Sequence, residues 1–277
     1  MGALVTQPES ALVKGLASAD PAERRRACLD AARSPSAVLL GDALGEALGD
    51  PEKTVARAAS DALVAIATRI GGVEATIRKA LRSELPSRRW GAAFTAARIA
   101  PPGPQLLPPL VEALGSADGD VRWAAARVIV EIGRVHGEVL PLLLAMLRTG
   151  ELAIQRRMAS FALRELAPDS VEAAEALLEA TRDDDLQVRR AALTALASLH
   201  APPPGIAARL LEAVQNDDDA ASRRLAALSL GELARANPQA IPPEALRQLR
   251  DEGERCEDPD LQRAIQRALG RSAAPVA

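Results

Sequence analysis

The chain is nearly without aromatic side chains. Among 277 residues it has two tryptophans, two phenylalanines and no tyrosine. A core of that composition cannot be assembled around large rings. It must be filled by Ala, Leu, Val and Ile, which suits helices that approach closely. Cysteine is as scarce: Cys28 and Cys256 lie far apart in sequence. That excludes a disulfide framework and any metal site built on paired Cys spacing, and a reducing compartment fits. Lysine occurs only at positions 14, 53 and 79, and Arg supplies the other cations. The 34 Lys and Arg stand against 37 Asp and Glu, a net charge of −3. The overall basic excess of a general nucleic-acid binder is therefore missing. No apolar run is long enough to span a bilayer. Residues 1–10 lack the basic stretch followed by an apolar run that marks a secretory signal. A soluble cytoplasmic protein with no membrane partner is expected. Sustained period-two alternation of β-branched residues is also absent, so strands are not expected.

Catalytic and metal signatures are missing too. His136 and His200 have no His-x-x-x-His partner and no Cys nearby, so a metal site is not expected. There is no Gly-x-Gly-x-x-Gly and no phosphate loop; Gly71-Gly72 suits a helix end. The runs Asp183–Asp185 and Asp217–Asp219 fall at a recurring position where helix capping explains them. Neither a cofactor nor a catalytic residue is expected.

What is present is a folded composition, 48% hydrophobic and 26% charged, and a repeat. A short helix, an acidic turn and a second helix opening with Val-Arg or an equivalent recur along the chain. Taking the residue before that Arg as a marker gives Arg24, Val55, Arg88, Val121, Gln155, Val188, Ser222 and Leu261. The spacing is about 31–39 residues, in the range of helical solenoids. Eight helix pairs follow, over 10–36, 38–71, 72–103, 104–136, 137–169, 170–203, 204–238 and 240–272, read as one continuous domain over 1–277. Asp20, Asp50, Asp118, Glu151, Asp184, Asp218 and Asp258 precede the second helices, where acids cap free N–H groups and suit the dipole. Proline clusters at 101–104, 202–204 and 238–243 separate the pairs.

The fullest signatures are Asp118–Ala125, with Val121, Arg122 and Ala124, and Asp185–Ala192, with Val188, Arg189 and Ala191. The pattern resembles the HEAT-repeat family, in particular its short bacterial form. The resemblance implies an all-α, right-handed α-α superhelix of the HEAT/armadillo-like kind. It also implies that the Arg after the marker pairs with an Asp of a neighbouring repeat, and that the second helices line the concave surface. Ala56 and Gln262 depart from the Arg position. HEAT-like alkylpurine DNA glycosylases carry a catalytic Asp one turn after a Trp; here those positions are Phe94 and Arg127. Glycosylase chemistry is therefore not expected, and the His-Glu pairs of HEAT-like di-iron hydroxylases are also absent.

A helix turns about 100° per residue, so positions 0, +3, +4, +7, +8 and +11 from the marker form a core stripe. Position +2 lies opposite. It reads Arg26, Arg57, Trp90, Trp123, Arg157, Arg190, Arg224 and Arg263. Position +6, on the same side, adds Phe94, Arg127 and Phe161. All four aromatic residues thus fall where the helical wheel points to solvent. Exposed apolar clusters mark interaction sites, and Trp and Arg are enriched at hot spots. The expectation is a non-catalytic scaffold that binds a protein or peptide, acidic or phosphorylated, through Trp90, Phe94, Trp123, Arg127, Arg157, Phe161, Arg190 and Arg57. The alternative is a nucleic-acid-binding module on the same face. Against both stands a plain structural explanation, in which the Phe residues pack between repeats and the arginines only solvate a helix surface.

Overall fold

The computed structural model describes residues 7–200 and 202–272. All regular structure among them is helical, as sixteen α-helices and two short 3-10 turns. The first four pairs are α1 (Gln7–Leu16) with α2 (Pro21–Ala31), α3 (Gly41–Ala47) with α4 (Lys53–Arg69), α5 (Glu74–Leu81) with α6 (Pro86–Ile99), and α7 (Leu107–Ala113) with α8 (Gly119–Gly133). The last four are α9 (Val139–Thr149) with α10 (Ala153–Leu166), α11 (Val171–Ala180) with α12 (Leu186–Leu196), α13 (Ile206–Asn216) with α14 (Ala220–Ala236), and α15 (Pro243–Arg255) with α16 (Pro259–Ser272). The pairs fall into two compact units, residues 1–132 and 133–277.

In each unit second helices pack on second helices: α2 on α4 and α4 on α6 in the first, α10 on α12, α12 on α14 and α14 on α16 in the second. Sequence explains how they come so close. Positions +4, +5, +7 and +8 are buried, as Ala59, Ser60, Ala62 and Leu63 in α4 and Ala159, Ser160, Ala162 and Leu163 in α10. The core stripe is thus wider than the wheel predicts, because +5 turns toward the neighbouring second helix. That position holds a small residue in most pairs: Ser60, Ala93, Ala126, Ser160 and Ala227. Glycine allows the closest approach. A Cβ on Gly231 would lie 2.6 Å from the Cα of Ala268, so α14 and α16 meet nearly backbone to backbone.

An arginine ladder ties the repeats together, and it obeys a rule about capping. The ladder residue stands four positions after the N-cap: Asp20 to Arg24, Leu85 to Arg89, Leu152 to Arg156, Asp185 to Arg189, Asp219 to Arg223. Its Nη1 donates to the carbonyls six and five residues back. Arg24 reaches Ser18 and Ala19, Arg89 Ser83 and Glu84, Arg122 Ser116 and Ala117, Arg156 Gly150 and Glu151, Arg189 Asp183 and Asp184. The rest of the guanidinium pairs with an acid of the next repeat. Arg24 takes Asp50 at 2.7 Å, Arg89 Glu112 at 2.6 Å, Arg156 Asp183 at 2.7 Å and Arg189 Asp218 at 2.6 Å, while Arg223 lies 3.6 Å from Asp258.

This corrects three sequence expectations. In the first repeat the ladder residue is Arg24 and not Arg25, because Asp20 caps α2 and sets the count. Gln262 is no departure: its amide donates to the Cys256 carbonyl, six residues back, as the arginines do. The caps of α4, α10, α12 and α14 are Glu52, Leu152, Asp185 and Asp219, one or two residues later than Asp50, Glu151, Asp184 and Asp218. The carboxylates of Asp183 and Asp217 instead close the loop on the amides of Asp185 and Asp219. Asp183 also holds Arg156. Burial alone would raise the Asp183 carboxyl, but the Arg156 bonds and the Asp185 amide outweigh it and hold the group below the usual carboxylate range.

Candidate functional site

The outer side of the second helices is described one unit at a time. In the first unit, α6 stacks three side chains at i, i+4 and i+8. The rings of Trp90 and Phe94 lie 5.2 Å apart, tilted by 33°. The guanidinium of Arg98 lies 5.6 Å from the Phe94 centroid, a cation–π contact. Arg98 is anchored from α4, by Asp61 at 2.8 Å and the Ser60 hydroxyl at 2.9 Å. Ser60 in turn accepts from the Thr95 hydroxyl at 2.8 Å. The stack is therefore fixed by a polar network beneath it, and both rings remain half-buried. On α8, Trp123 is 43% exposed. Arg127, one turn on, is exposed and makes no ion pair among the described residues. Arg57 on α4 is exposed as well, with Asp120 4.0 Å away.

In the second unit the same positions carry Arg157 and Phe161 on α10 and Arg190 on α12. Phe161 is half-buried, with the guanidinium of Arg164 5.3 Å from its centroid. Arg157 is half-buried and makes no ion pair among the described residues. Arg190 is committed: Nε and Nη2 make a bidentate pair with Asp219 at 2.8 and 2.6 Å. Arg224 and Arg263 both lie against Asp260. Of the side chains expected to face solvent, Arg57, Trp123 and Arg127 are exposed, whereas Trp90, Phe94, Arg157, Phe161 and Arg190 are half-buried. Helical period did not separate the engaged arginines from the open ones. The signal was present: Asp219 and Asp260 follow Arg190 and Arg224 by nearly one repeat.

The concave pockets elsewhere have a different character. One of about 360 Å³ in the first unit is lined by Asp42, Glu46, Lys79, Arg82 and Arg88 among others. Its charges are mostly spent on each other, as Lys79 with Asp42 at 2.9 Å and Arg88 with Glu46 at 2.5 Å. Among the described residues no His, Cys, Asp and Glu cluster is placed to hold a metal ion, and no helix is long and apolar enough to cross a membrane.

No curated protein matches the chain. The solved structures that share its fold include the following three. Importin beta is 17% identical with a TM-score of 0.61, over 97% of this chain and 41% of that one. A chain from the structure of Kap95p with RanGDP is 15% identical with a TM-score of 0.65, over 95% and 41%. YibA of Escherichia coli is 20% identical with a TM-score of 0.56, over 95% and 93%. The chain thus spans about two fifths of the importin beta and Kap95p-complex chains it resembles. The family model for HEAT repeats matches residues 73–164, 140–231 and 174–270, most of the chain. With helix pairs of this length, a ladder of arginines and acidic caps between them, the chain belongs to the HEAT-repeat family of all-α solenoids.

Proposed function

We propose that the chain is a non-catalytic scaffold that binds a partner protein or peptide on the outer side of its second helices. Trp90, Phe94 and Trp123 of the first unit are the anchors, with Arg57 and Arg127 beside them. In the second unit Arg157 and Phe161 are contacts in their own right, whereas Arg190 is held by Asp219 and serves the repeat. The observation that carries this reading is Trp123, 43% exposed in a protein whose core uses no rings. An exposed indole beside Arg127, which makes no ion pair among the described residues, matches the chemistry of interface hot spots. Extended peptides and amphipathic helices both use such anchors. Family likeness points the same way, since Kap95p binds RanGDP.

The test is affinity capture from a native lysate by wild type and by Trp90→Ala/Trp123→Ala, after circular dichroism confirms that both fold. Protein captured by wild type and lost in the variant is the expected result. The same partners in both samples would sink the proposal. The open cation Arg127 beside Trp123 favours one second reading, nucleic acid held by arginine and stacked on indole. Nucleic acid recovered by wild type, abolished by nuclease and weakened by orders of magnitude as salt rises, would replace the first reading with the second.

A further inference from the structure

In the first unit the start of α4 reaches two repeats ahead. Lys53 Nζ is ion-paired with Asp118 and lies 3.5 Å from Asp120, and Arg57 Nη2 lies 4.0 Å from the same Asp120. Asp118 and Asp120 flank the first residue of α8. These contacts therefore bypass α6, whose second turn carries Trp90. Packed helices lie about 8–10 Å apart, and a lysine cannot span two such intervals laid flat. The starts of α4 and α8 are accordingly drawn together past the start of α6, on the side that carries Arg57 and Trp90, both at +2.

Asp118 is 23% exposed and its bond from Lys53 holds its carboxyl below the usual range, so that pair adds some stability, but the contacts to Asp120 add little. Lys53 and Arg57 are 58% and 69% exposed and Asp120 is 76% exposed. Ion pairs that open to solvent contribute little, and they open easily. The position of this clasp is more telling. The clasp places carboxylates against Lys53 and against Arg57, which stands at +2 on α4, the helix packed on the α6 that carries Trp90 at +2. Repeat three has no acid matching either one: its cap is Leu85, 48% exposed and with no side-chain cap bond, and Ser87 stands where α8 has Asp120. Nearby, Asp61 is committed to Arg98, and Arg127 has no ion pair among the described residues. Residues 1–132 carry sixteen Lys and Arg against fifteen Asp and Glu, a slight basic excess in a chain of net charge −3.

We infer that this face takes an acidic polypeptide segment with aliphatic side chains, and that Asp118 and Asp120 are an internal stand-in for its carboxylates, released from Lys53 and Arg57 when the segment binds. The inference rests on the scaffold reading above and names its partner class and its control. A few cations beside two indoles suit a few carboxylates with apolar residues between them. They are too few to track a phosphate backbone.

Trp90 and Trp123 are the only indoles in the chain, so tryptophan emission reports directly on this face. The full chain is titrated with a peptide of alternating leucine and glutamate, with its leucine–lysine counterpart and with a single-stranded oligonucleotide. The expected result is a saturable blue shift with the acidic peptide alone. Arg127→Glu should weaken that binding by about tenfold or more, by replacing attraction with like-charge repulsion. Asp118→Asn/Asp120→Asn should strengthen it severalfold. Asparagine keeps the oxygen that accepts the amide of residue 120, so the turn is retained while the competing charge is lost. Unchanged or weaker binding in that variant overturns the stand-in. Equal shifts with both peptides overturn the acidic class and leave the scaffold reading standing. A response to the oligonucleotide alone, or to none of the three, overturns both.

Discussion

Residues 1–132 hold sixteen Lys and Arg against fifteen Asp and Glu, and residues 133–277 hold eighteen against twenty-two. Acidity would suggest that the second unit is the one seeking basic partners. Its acids are instead turned inward along the surface, onto its own arginines. Arg156 meets Asp183, Arg189 meets Asp217 and Asp218, Arg190 meets Asp219, and Arg223 and Arg224 approach Asp258 and Asp260. The first unit leaves gaps. Ala56 interrupts its ladder, Arg122 has only loop carbonyls, and Arg127 has no ion pair among the described residues. It also carries three of the four aromatic residues. The same repeat can thus be completed by its neighbour or left open for something else, and the choice is made at two or three surface positions per pair.

The sharpest way to break this comparison is to remove a completed rung. Arg156 and Asp183 are 18% and 11% exposed, and the guanidinium also serves two carbonyls. Arg156→Ala should cost about 2–3 kcal/mol, because a largely desolvated carboxylate loses its partner. Arg122→Ala removes carbonyl contacts only and should cost about 1 kcal/mol. Repeat arrays do not unfold as one unit, so amide exchange at α10–α12 and at α8 is the measurement. Equal losses would erase the distinction between the units.

Acid tests the same difference next. In the second unit the carboxyls of Asp219, Asp183, Glu212 and Asp258 are held below their usual range; for Asp219 the main cause is its bond from Arg190. In the first unit Asp50 and Asp118 are so held. A depressed folded-state pKa stabilises fully above the unfolded value, near 3.9 for Asp, and that share is lost as pH falls through the folded value. Amides of the second unit should therefore lose protection first as pH is lowered below about 4. Earlier loss in the first unit would contradict the account.

Most of the architecture could be read from the sequence because it repeats. Eight occurrences of one pattern average away a weak signal in any single pair. Register within a pattern was harder where like residues are adjacent. Arg24, Arg25 and Arg26 offer three candidates for one rung, and Asp183, Asp184 and Asp185 three for one cap. Distance from the N-cap decides, and that is a property of the folded helix start. Helical period alone marked the side opposite the core stripe, but not that three of its four aromatic residues are half-buried. The Lys53–Asp118 contact was not, since it skips a repeat and depends on how closely three helix starts converge.

A smaller effect follows from the arginines at +2. Arg190→Ala should lower the thermal midpoint, because it releases Asp219 from a bidentate pair. Arg127→Ala should leave the midpoint unchanged, as expected at an exposed site without an ion pair. For binding of the acidic peptide the order should reverse, with Arg127→Ala weakening it and Arg190→Ala leaving it intact. A midpoint that drops equally in both would show that Arg127 is structural.

Smallest is the effect of filling the gap at Ala56. Position 56 stands four residues after the cap Glu52, where the ladder rule places an arginine. The carbonyls six and five residues back belong to Asp50 and Pro51, so Ala56→Arg could donate to both. The residue of repeat three that matches Asp183 is Ser83, and Glu84, which matches Asp218, is exposed, so an ion pair there adds little. The gain should resemble the carbonyl share of Arg122, about 0.5–1 kcal/mol before the cost of ordering a long side chain. Slower amide exchange at the start of α4 is the expected readout. No change there would mean that carbonyl contacts contribute nothing net, and that the ladder stabilises only where the next repeat supplies an acid.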